Sequence, residues 1–380
     1  RRCAAAGGVE GPFPSPSGDA RVSGMTTDFL IIGGGIAGVS AAARLSHLGR
    51  VTLLEAEDHL AHHASGRSAA LYEPNYGLPP VVTLSYASGD DLRAAGVLVP
   101  RGIMLLGAEG EDAVFATECR DFGLSEISPG EARAMVPILG PSVRRAAVAD
   151  HAWDIDTDLL IQGFAREARG NGAEILTRAR VIAIAREGTL WHVKTAAGEH
   201  TARLVVNAAG AWVDEVARMA GVRPLGVTPL RRSMARIPAP EGHDPARWPM
   251  LMGAGETWYA KPDAGALIVS PAEEDLVDPH DAWADDMVLA EGLARYEEMV
   301  TAPVTRLLAS WAGLRTFAPD RVLVIGPDPE VPSFFWVAGQ GGYGFQTSAA
   351  ASTLVADLVA GRTPVLDAGT VAALSPSRFR

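Results

Sequence analysis

The chain has 380 residues, of which 48% are hydrophobic and 21% are charged, and its formal net charge is −12. This composition is ordinary for a globular protein, and the length favours two domains or slightly more. The negative charge disfavours nucleic acids and anionic membranes as partners, because phosphate groups need a concentrated positive field, but it does not exclude a small cationic pocket.

The apolar runs, the cysteines and the N-terminal residues indicate the expected location of the protein in the cell. No apolar run of about 18 residues occurs, so no membrane span is expected. The two cysteines, Cys3 and Cys119, are too few for a disulfide framework, which favours a reducing, cytoplasmic compartment. Residues 1–24 are rich in Gly, Ala, Pro and Ser, and the paired arginines that open them precede no apolar segment. We therefore interpret them as a disordered tail before Met25 rather than as an export signal.

One βαβ unit is predicted near the start of the chain. Residues 29–32 form a continuous apolar run that ends at a glycine, as expected for a buried strand. Residues 38–48 are alanine-rich with helical spacing, and residues 51–54 predict a second strand that ends at Glu55. The crossover between the two strands is expected to be right-handed.

A glycine pattern joins the first strand to the helix. Gly33, Gly35 and Gly38 form G-x-G-x-x-G. In dinucleotide-binding folds the first glycine permits a tight turn, the second lets the backbone approach a pyrophosphate, and the third lets helix and strand pack closely. Glu55 follows Gly33 by 22 residues, where a carboxylate accepts from ribose hydroxyls and repels a 2′-phosphate. The pattern predicts an NAD or FAD site and disfavours NADP.

The central chain predicts a second domain that is inserted in two pieces. Residues 79–149 and 226–300 mix short strand-like runs with polar helical stretches. Between them, short strands return at 173–184, 190–195 and 203–208.

A second glycine-rich turn lies near the C-terminus. Residues 341–348, GGYGFQTS, follow an apolar strand at 334–338 and precede a helix at 347–358. A helix N-terminus beside a flavin ring stabilises the negative charge that appears there on reduction. A nicotinamide enzyme needs no second site of this kind, so the two turns together favour FAD.

Four stretches resemble the FAD-dependent amine and amino-acid oxidoreductases of the D-amino-acid oxidase superfamily. They are IIGGGIAG (31–38), SGRSAALY (65–72), VVNAAGAWVDEVA (205–217) and WAGLRTFAPD…GQGGYGFQTSAA (311–320, 339–350). The resemblance runs from about residue 26 to the C-terminus. It looks closest to bacterial D-arginine dehydrogenase through RPLGVTPLRRS (223–233), WYAKPDAG (258–265) and LSPSR (374–378).

The resemblance implies an α/β fold: a Rossmann-like FAD-binding domain with an inserted α+β substrate domain built on an antiparallel sheet. The expected FAD-binding segments are 25–78, 150–225 and 305–375, and the substrate segments are 79–149 and 226–304. The implied cofactor-binding residues are Gly33, Gly35, Ile36, Ala37, Gly38, Glu55, Ala56, Ser65, Gly66, Arg67, Ser68, Ala69, Val181, Gly210, Gly341, Gly342, Tyr343, Gly344, Phe345 and Gln346. His62 and His63 raise the question of covalent attachment, because some relatives link flavin through a nearby histidine; non-covalent FAD is expected. No metal site is predicted.

The resemblance also implies a carboxylate clamp. Arg232 and Arg315 match the family's clamp residues, and a guanidinium binds a carboxylate bidentately. Tyr76 and Tyr259 match tyrosines that close over the substrate. The neighbouring Arg231 is expected to face solvent, as arginines on strands usually do.

Two departures from D-arginine dehydrogenase suggest an apolar substrate. Ile103 stands where that enzyme pairs a glutamate with the substrate guanidinium, and Leu71 replaces a histidine. Glu73 could restore a charge partner, although an exposed loop glutamate is the simpler interpretation. The expected side-chain pocket contains Leu71, Glu73, Ile103, Met250, Met252 and Gly342.

The predicted reaction is the FAD-dependent oxidation of D-amino acids to imino acids, which hydrolyse to 2-oxo acids and ammonia. The hydride would leave Cα for flavin N5, with no strong base required if the amine binds neutral. Oxidation of glycine, sarcosine or another secondary amine is the alternative. The sequence leaves the electron acceptor open among O2, a quinone and another carrier.

Overall fold

The computed structural model describes residues 26–380. The predicted tail, Cys3 and Met25 lie outside this range. Three sheets and the helices that cover them make up the described chain. The α-helices are Ile36–Leu45, Pro79–Ala94, Asp112–Asp121, Pro129–Met135, Thr157–Gly170, Val213–Met219, Asp286–Met299, Gly344–Ala360 and Ala368–Leu374.

The first sheet has eight strands and a parallel centre. Its five parallel strands run in the spatial order Glu174–Leu176, Val51–Leu54, Thr27–Ile32, Gly198–Asn207 and Phe334–Ala338. Antiparallel strands complete it: Val181–Glu187 and Leu190–Thr195 on one side, and Val324–Pro327 beside Phe334–Ala338. The sheet confirms the predicted βαβ unit and Rossmann-like architecture.

Alanine lets the helices approach one another beside this sheet. Ile36–Leu45 packs against both Thr157–Gly170 and Gly344–Ala360, and Ala41, Ala42 and Ala43 have no exposed surface. Small side chains let the helix axes come close. A Cβ on Gly344 would lie 3.1 Å from Ile36 Cγ2, so Ile36–Leu45 and Gly344–Ala360 begin beside each other.

The second sheet has nine strands. It is antiparallel except where Met250–Gly253 runs parallel to Ile103–Gly107, which confirms the antiparallel substrate sheet. The other strands are Ser125–Ile127, Arg145–Ala149, Thr228–Pro238, Tyr259–Asp263, Ala266–Ser270, Asp275–Leu276 and Ala309–Phe317. A third, small sheet contains Leu71–Tyr72, Leu98–Pro100 and Trp153–Ile155.

The domain boundaries themselves stay a prediction, and the sheets show where they need refinement. Ala309–Phe317 falls in a segment assigned to the FAD-binding domain, yet it pairs along its whole length with Thr228–Pro238 of the second sheet. No helix within residues 26–380 is both long and apolar enough to cross a bilayer.

Candidate active site

A cavity of about 480 Å³ opens at the carboxyl ends of the central parallel strands. In open α/β sheets this is the position at which nucleotides bind. Its walls come from the glycine turn, the end of the second strand and the segment after Gly198–Asn207. Among its lining residues are the predicted Gly33, Gly35, Ile36, Ala37, Glu55, Ala56, Ser65, Arg67, Val181, Gly210 and Gly341.

Close backbone contacts enforce the glycine turn. Gly33 has φ +110°, and a Cβ there would lie 2.4 Å from the Ala208 carbonyl oxygen; a Cβ on Gly38 would lie 1.9 Å from the Gly33 oxygen. Gly35, in contrast, has an ordinary φ of −76° and lines the cavity. The Ser65 hydroxyl accepts from the Ile36 amide at 3.0 Å in the first turn of the helix. Two glycines therefore shape the turn, and Gly35 keeps its cavity face clear.

Glu55 is a buried carboxylate at the cavity wall. Its two oxygens accept from the amides of Gly34 at 2.7 Å and Glu57 at 2.8 Å. The side chain thus holds the glycine turn against the end of the second strand, and each oxygen keeps a lone pair for a hydroxyl donor.

Two histidines line the outer part of this cavity. His63 packs against Trp212 with ring centroids 4.6 Å apart and ring planes tilted by 47°, and burial lowers the pKa of His63. The Nδ1 atoms of His62 and His63 are buried and have no hydrogen-bond partner among the described residues. With Glu57, these histidines place ligand atoms within 4.8 Å of one another, and the Glu57 Oε1 atom also accepts from Arg180 at 2.8 Å.

A second cavity of about 210 Å³ continues from the first. The two share part of their walls: Ile36, Ala64, Ser65, Arg67, Gly313, Leu314, Gln340 and Gly341. The second is lined by the predicted Ser68, Ala69, Leu71, Glu73, Tyr76, Ile103, Arg232, Met250, Met252, Tyr259, Arg315, Gly342, Gly344, Phe345 and Gln346.

Two guanidinium groups enter the second cavity from neighbouring strands. Arg232 lies opposite Gly313 in the antiparallel pair, two residues from Arg315, so both side chains lie on one face of the sheet. Arg315 Nη2 donates to the Tyr76 hydroxyl at 3.0 Å, and its buried Nε has no partner among the described residues. A Cβ on Gly342 would lie 2.5 Å from that Nη2, so only glycine lets the guanidinium rest on this backbone.

Both tyrosines contact the arginines, and Tyr76 also joins this cationic side of the cavity to an acidic residue. Tyr76 accepts from Arg315 and donates to Glu256 Oε2 at 3.1 Å. Burial raises the Tyr76 pKa, which keeps the hydroxyl neutral. The Arg232 guanidinium lies 5.9 Å from the centre of the Tyr259 ring, in cation–π range.

Glu274 partly neutralises the clamp from outside. Its carboxylate lies 3.5 Å from Arg232 Nη2, 3.3 Å from Arg315 Nη1 and 2.8 Å from Arg321 Nη2. The pKa of Glu274 is lowered, because hydrogen bonding to Arg321 and the three positive charges outweigh its desolvation. Glu274 is therefore ionised at neutral pH and offsets part of the positive charge of Arg232 and Arg315.

The remaining wall is mostly apolar. Ile103 and Met250 are register partners in parallel strands, and Leu71, Met252 and Phe122 complete the surface. Because residue 103 is isoleucine, this part of the wall offers no counterion to a cationic substrate side chain.

One polar pair interrupts that wall. Glu73 is 3% exposed, which corrects the interpretation of it as an exposed loop residue. His151 Nε2 lies 3.0 Å from each of its carboxylate oxygens, the Asn75 amide donates to Oε1 at 3.0 Å, and burial raises the Glu73 pKa.

The profile of the family described as "DAO: FAD dependent oxidoreductase" matches residues 28–358. The chain belongs to the DAO family of FAD-dependent oxidoreductases. Its cofactor is FAD. The two joined cavities fit an extended FAD, because a helix N-terminus, a glycine-lined floor and a buried carboxylate lie in one, and the second glycine turn lies in the other.

Curated relatives of this DAO protein agree with the assignment. Glycine oxidase of Pseudomonas aeruginosa is 28% identical over 369 residues, 90% of this chain and 97% of that protein. Hydrogen cyanide synthase subunit HcnC of the same species is 29% identical over 253 residues, 63% of this chain. The chain spans 57% of the length of HcnC. The crystal structure of glycine oxidase from Geobacillus kaustophilus has the same fold, with a TM-score of 0.79, 23% identity and coverage of 93% of this chain and 99% of that one.

In this DAO protein, three of the residues expected at the cofactor line neither cavity and instead pack against residues of the cavity walls. Gly38 packs against Gly33, a Cβ on Gly66 would lie 2.3 Å from the Ala61 oxygen, and the Tyr343 ring packs 5.3 Å from Tyr76.

The expectation that Arg231 faces solvent is wrong. Its side chain is 14% exposed and lies 2.7 Å from Asp275. Strand alternation turns it away from the clamp, and the acidic strand Asp275–Leu276 pairs with that part of Thr228–Pro238.

Sequence patterns did not single out several residues of the site. Glu256, Glu274, His151, Phe122 and Gln340 lie in loops or at element ends far along the chain from their partners. Two of them had a local signal: Glu256 follows Gly255 three residues before Tyr259, and Gln340 lies within the glycine-rich segment 339–350.

Proposed function

We propose that this protein is an FAD-dependent D-amino-acid dehydrogenase or oxidase with an apolar or broad preference, related to D-arginine dehydrogenase. It converts a D-amino acid to an imino acid, which hydrolyses in water to a 2-oxo acid and ammonia. The observation that supports it most is the pair Arg232 and Arg315 on one sheet face, in a cavity continuous with the cofactor cavity.

The protein's own residues bind and orient the substrate. Arg315 and Arg232 each present a guanidinium at the cavity wall, so a carboxylate binds with two charge-assisted contacts. Tyr76 and Tyr259 close over it and exclude water. The wall around Ile103 takes the apolar side chain. Bound FAD supplies the chemistry by accepting hydride from Cα.

For the cofactor, we propose the same residues that the sequence indicated. Gly35 and the first turn of Ile36–Leu45 would hold the pyrophosphate, Glu55 the ribose, and residues 341–346 the flavin ring. We expect non-covalent FAD and a cytoplasmic location, which agrees with the buried, free thiol of Cys119.

Glycine or sarcosine oxidation is the second candidate. The 28% identity to glycine oxidase along nearly its whole length favours it. The apolar wall argues for the first candidate, because glycine has no side chain to fill it.

Anaerobic flavin bleaching distinguishes the candidates. The purified yellow protein is mixed without O2 with apolar D-amino acids, their L-enantiomers, D-arginine, glycine and sarcosine, and the flavin absorbance is followed. We expect the fastest bleaching with apolar D-amino acids, and readmitted air tests oxidase behaviour. A large advantage for glycine, sarcosine or any L-amino acid would contradict the proposal.

A further inference from the structure

Glu73 and His151 form a buried acid joined to the surface by an imidazole. Glu73 lines the substrate cavity, and the adjacent Tyr76 reaches the clamp. The side chain of His151 is 30% exposed. The pair is thus a short hydrogen-bonded path from the cavity to solvent.

No described feature of the fold requires this pair to be ionisable. The Glu73 backbone amide is already satisfied by Gln346 Oε1 at 3.2 Å, and burial of its carboxylate is unfavourable without a compensating role. Among residues 26–380, the one ionisable partner within hydrogen-bond reach of the Glu73 carboxylate is His151. A buried acid whose pKa is raised, in a substrate cavity, is a characteristic arrangement for proton transfer.

We propose that Glu73 accepts the ammonium proton of the bound amino acid and passes it through His151 to water. This inference rests on the proposed function, because only an amine substrate brings that proton. An amino acid enters mainly as a zwitterion, whereas loss of hydride from Cα requires the nitrogen lone pair. The enzyme must therefore remove one proton before oxidation.

The step balances in atoms and charge. The Glu73 carboxylate takes one proton from the ammonium, which leaves a neutral amine and a carboxylic acid. That proton moves to the His151 imidazole, and the resulting imidazolium releases a proton to water. The amine lone pair then forms the C=N bond as the Cα–H bond breaks, and hydride reduces FAD, the oxidant of the family's activity.

Other charged groups near the cavity set the direction of transfer. Arg67, Arg232 and Arg315 line it with Glu256, and Tyr72, Asn75, Tyr86 and Gln346 surround Glu73 from the neighbouring segments. The clamp fixes the substrate carboxylate, and its positive charge opposes retention of the ammonium proton, so the amine is deprotonated more easily there than in water.

The first test is the pH profile of kcat/KM for the best D-amino acid, with holoenzyme of Glu73→Gln. At neutral pH we expect a loss of about 10²-fold, and the gap should close as pH rises past the pKa of the free amine, because the neutral amine then binds directly. His151→Asn should follow the same trend more weakly, and its exposed position makes misfolding a smaller risk.

The matched control is Glu118→Gln. Burial also raises the pKa of Glu118, which accepts from the Gly255 amide and does not line either described cavity. Its pH profile should remain that of the wild type. An unchanged profile in Glu73→Gln, or an equal loss at every pH, would overturn the relay.

The second test needs no turnover. 2-Aminoisobutyrate carries the carboxylate and the ammonium but has no Cα–H to oxidise. On binding, which the flavin spectrum reports, the wild type should release about one proton per site to a pH indicator, and Glu73→Gln should release none. Equal release from both proteins would disprove the relay, whereas a wild type that bleaches with no amino acid would instead refute the proposed function.

Discussion

The two joined cavities are built by different means. The cofactor cavity is shaped by backbone contacts such as that of Gly38 with Gly33, and its carboxylate, Glu55, holds backbone amides. The substrate cavity is shaped by long polar and charged side chains that hydrogen-bond to one another, as Arg315, Tyr76 and Glu256 do. Steric contacts therefore fix the first cavity and electrostatic contacts the second. Substitutions in the first should affect folding and FAD content, and those in the second should affect substrate binding and turnover.

The largest expected effect tests the clamp. Arg315→Leu removes a buried guanidinium that lines the cavity and donates to Tyr76, and a buried charge-assisted contact is worth about 4 kcal/mol. We expect kcat/KM to fall about 10³-fold while the protein keeps its FAD. Steady-state kinetics and the flavin spectrum of the purified variant measure the two quantities separately.

Arg321→Leu is the matched control for this change. Arg321 contacts the same Glu274 carboxylate, at 2.8 Å, but lies outside the lining of the cavity and is 44% exposed. Its kcat/KM should change by less than about fivefold. Comparable losses in both variants would mean that the network around Glu274, rather than direct contact with the substrate, causes the effect.

The next effect tests the backbone-shaped cavity. In Gly38→Ala the new Cβ would overlap a carbonyl oxygen at 1.9 Å, and this backbone cannot move without separating helix and strand. We expect a loss of about 3 kcal/mol in the free energy of unfolding. Gly35→Ala should remain stable, because its φ is ordinary and the Cβ meets only the side-chain hydroxyl of Ser65 at 3.1 Å, which can shift by a few tenths of an ångström, but it should bind less FAD. Denaturant unfolding and the ratio of flavin to protein absorbance check both; equal stability losses would remove the distinction between the glycines.

This contrast also explains what could be predicted from sequence. The cofactor site depends on local patterns, and the strands Leu190–Thr195 and Phe334–Ala338 have the predicted bounds. The clamp arginines were reached only through resemblance. Arg231 shows the limit: its ion pair with Asp275 joins residues 44 positions apart, and no local pattern reveals which strand pairs with which.

A smaller effect concerns the charge outside the clamp. Glu274 competes electrostatically with a substrate carboxylate for Arg232 and Arg315. In Glu274→Gln we expect benzoate, which has a carboxylate and no amine, to inhibit about threefold to fivefold more tightly, as for a partly exposed ion pair. Asp275→Asn is the control. It removes the neighbouring carboxylate, which pairs with Arg231 outside the cavity, and should leave the inhibition constant of benzoate unchanged. Weaker inhibition in Glu274→Gln would show instead that this carboxylate positions the guanidiniums.

The smallest expected effect is on thermal stability, and it concerns how the buried carboxylate of each cavity is held. Glu55 is held by two backbone amides, whereas burial raises the pKa of Glu73 above its ordinary value of 4.5. A group whose pKa is raised on folding contributes its full stability below the unfolded pKa and loses it as pH rises through the folded pKa. Glu73→Gln should therefore gain in Tm relative to the wild type as pH increases from 4.5 toward neutrality, since the wild type alone must ionise a buried acid. Calorimetry of both holoproteins across that range measures the difference in Tm. A difference that stays constant or shrinks with pH would mean that His151 stabilises the ionised form more than burial disfavours it.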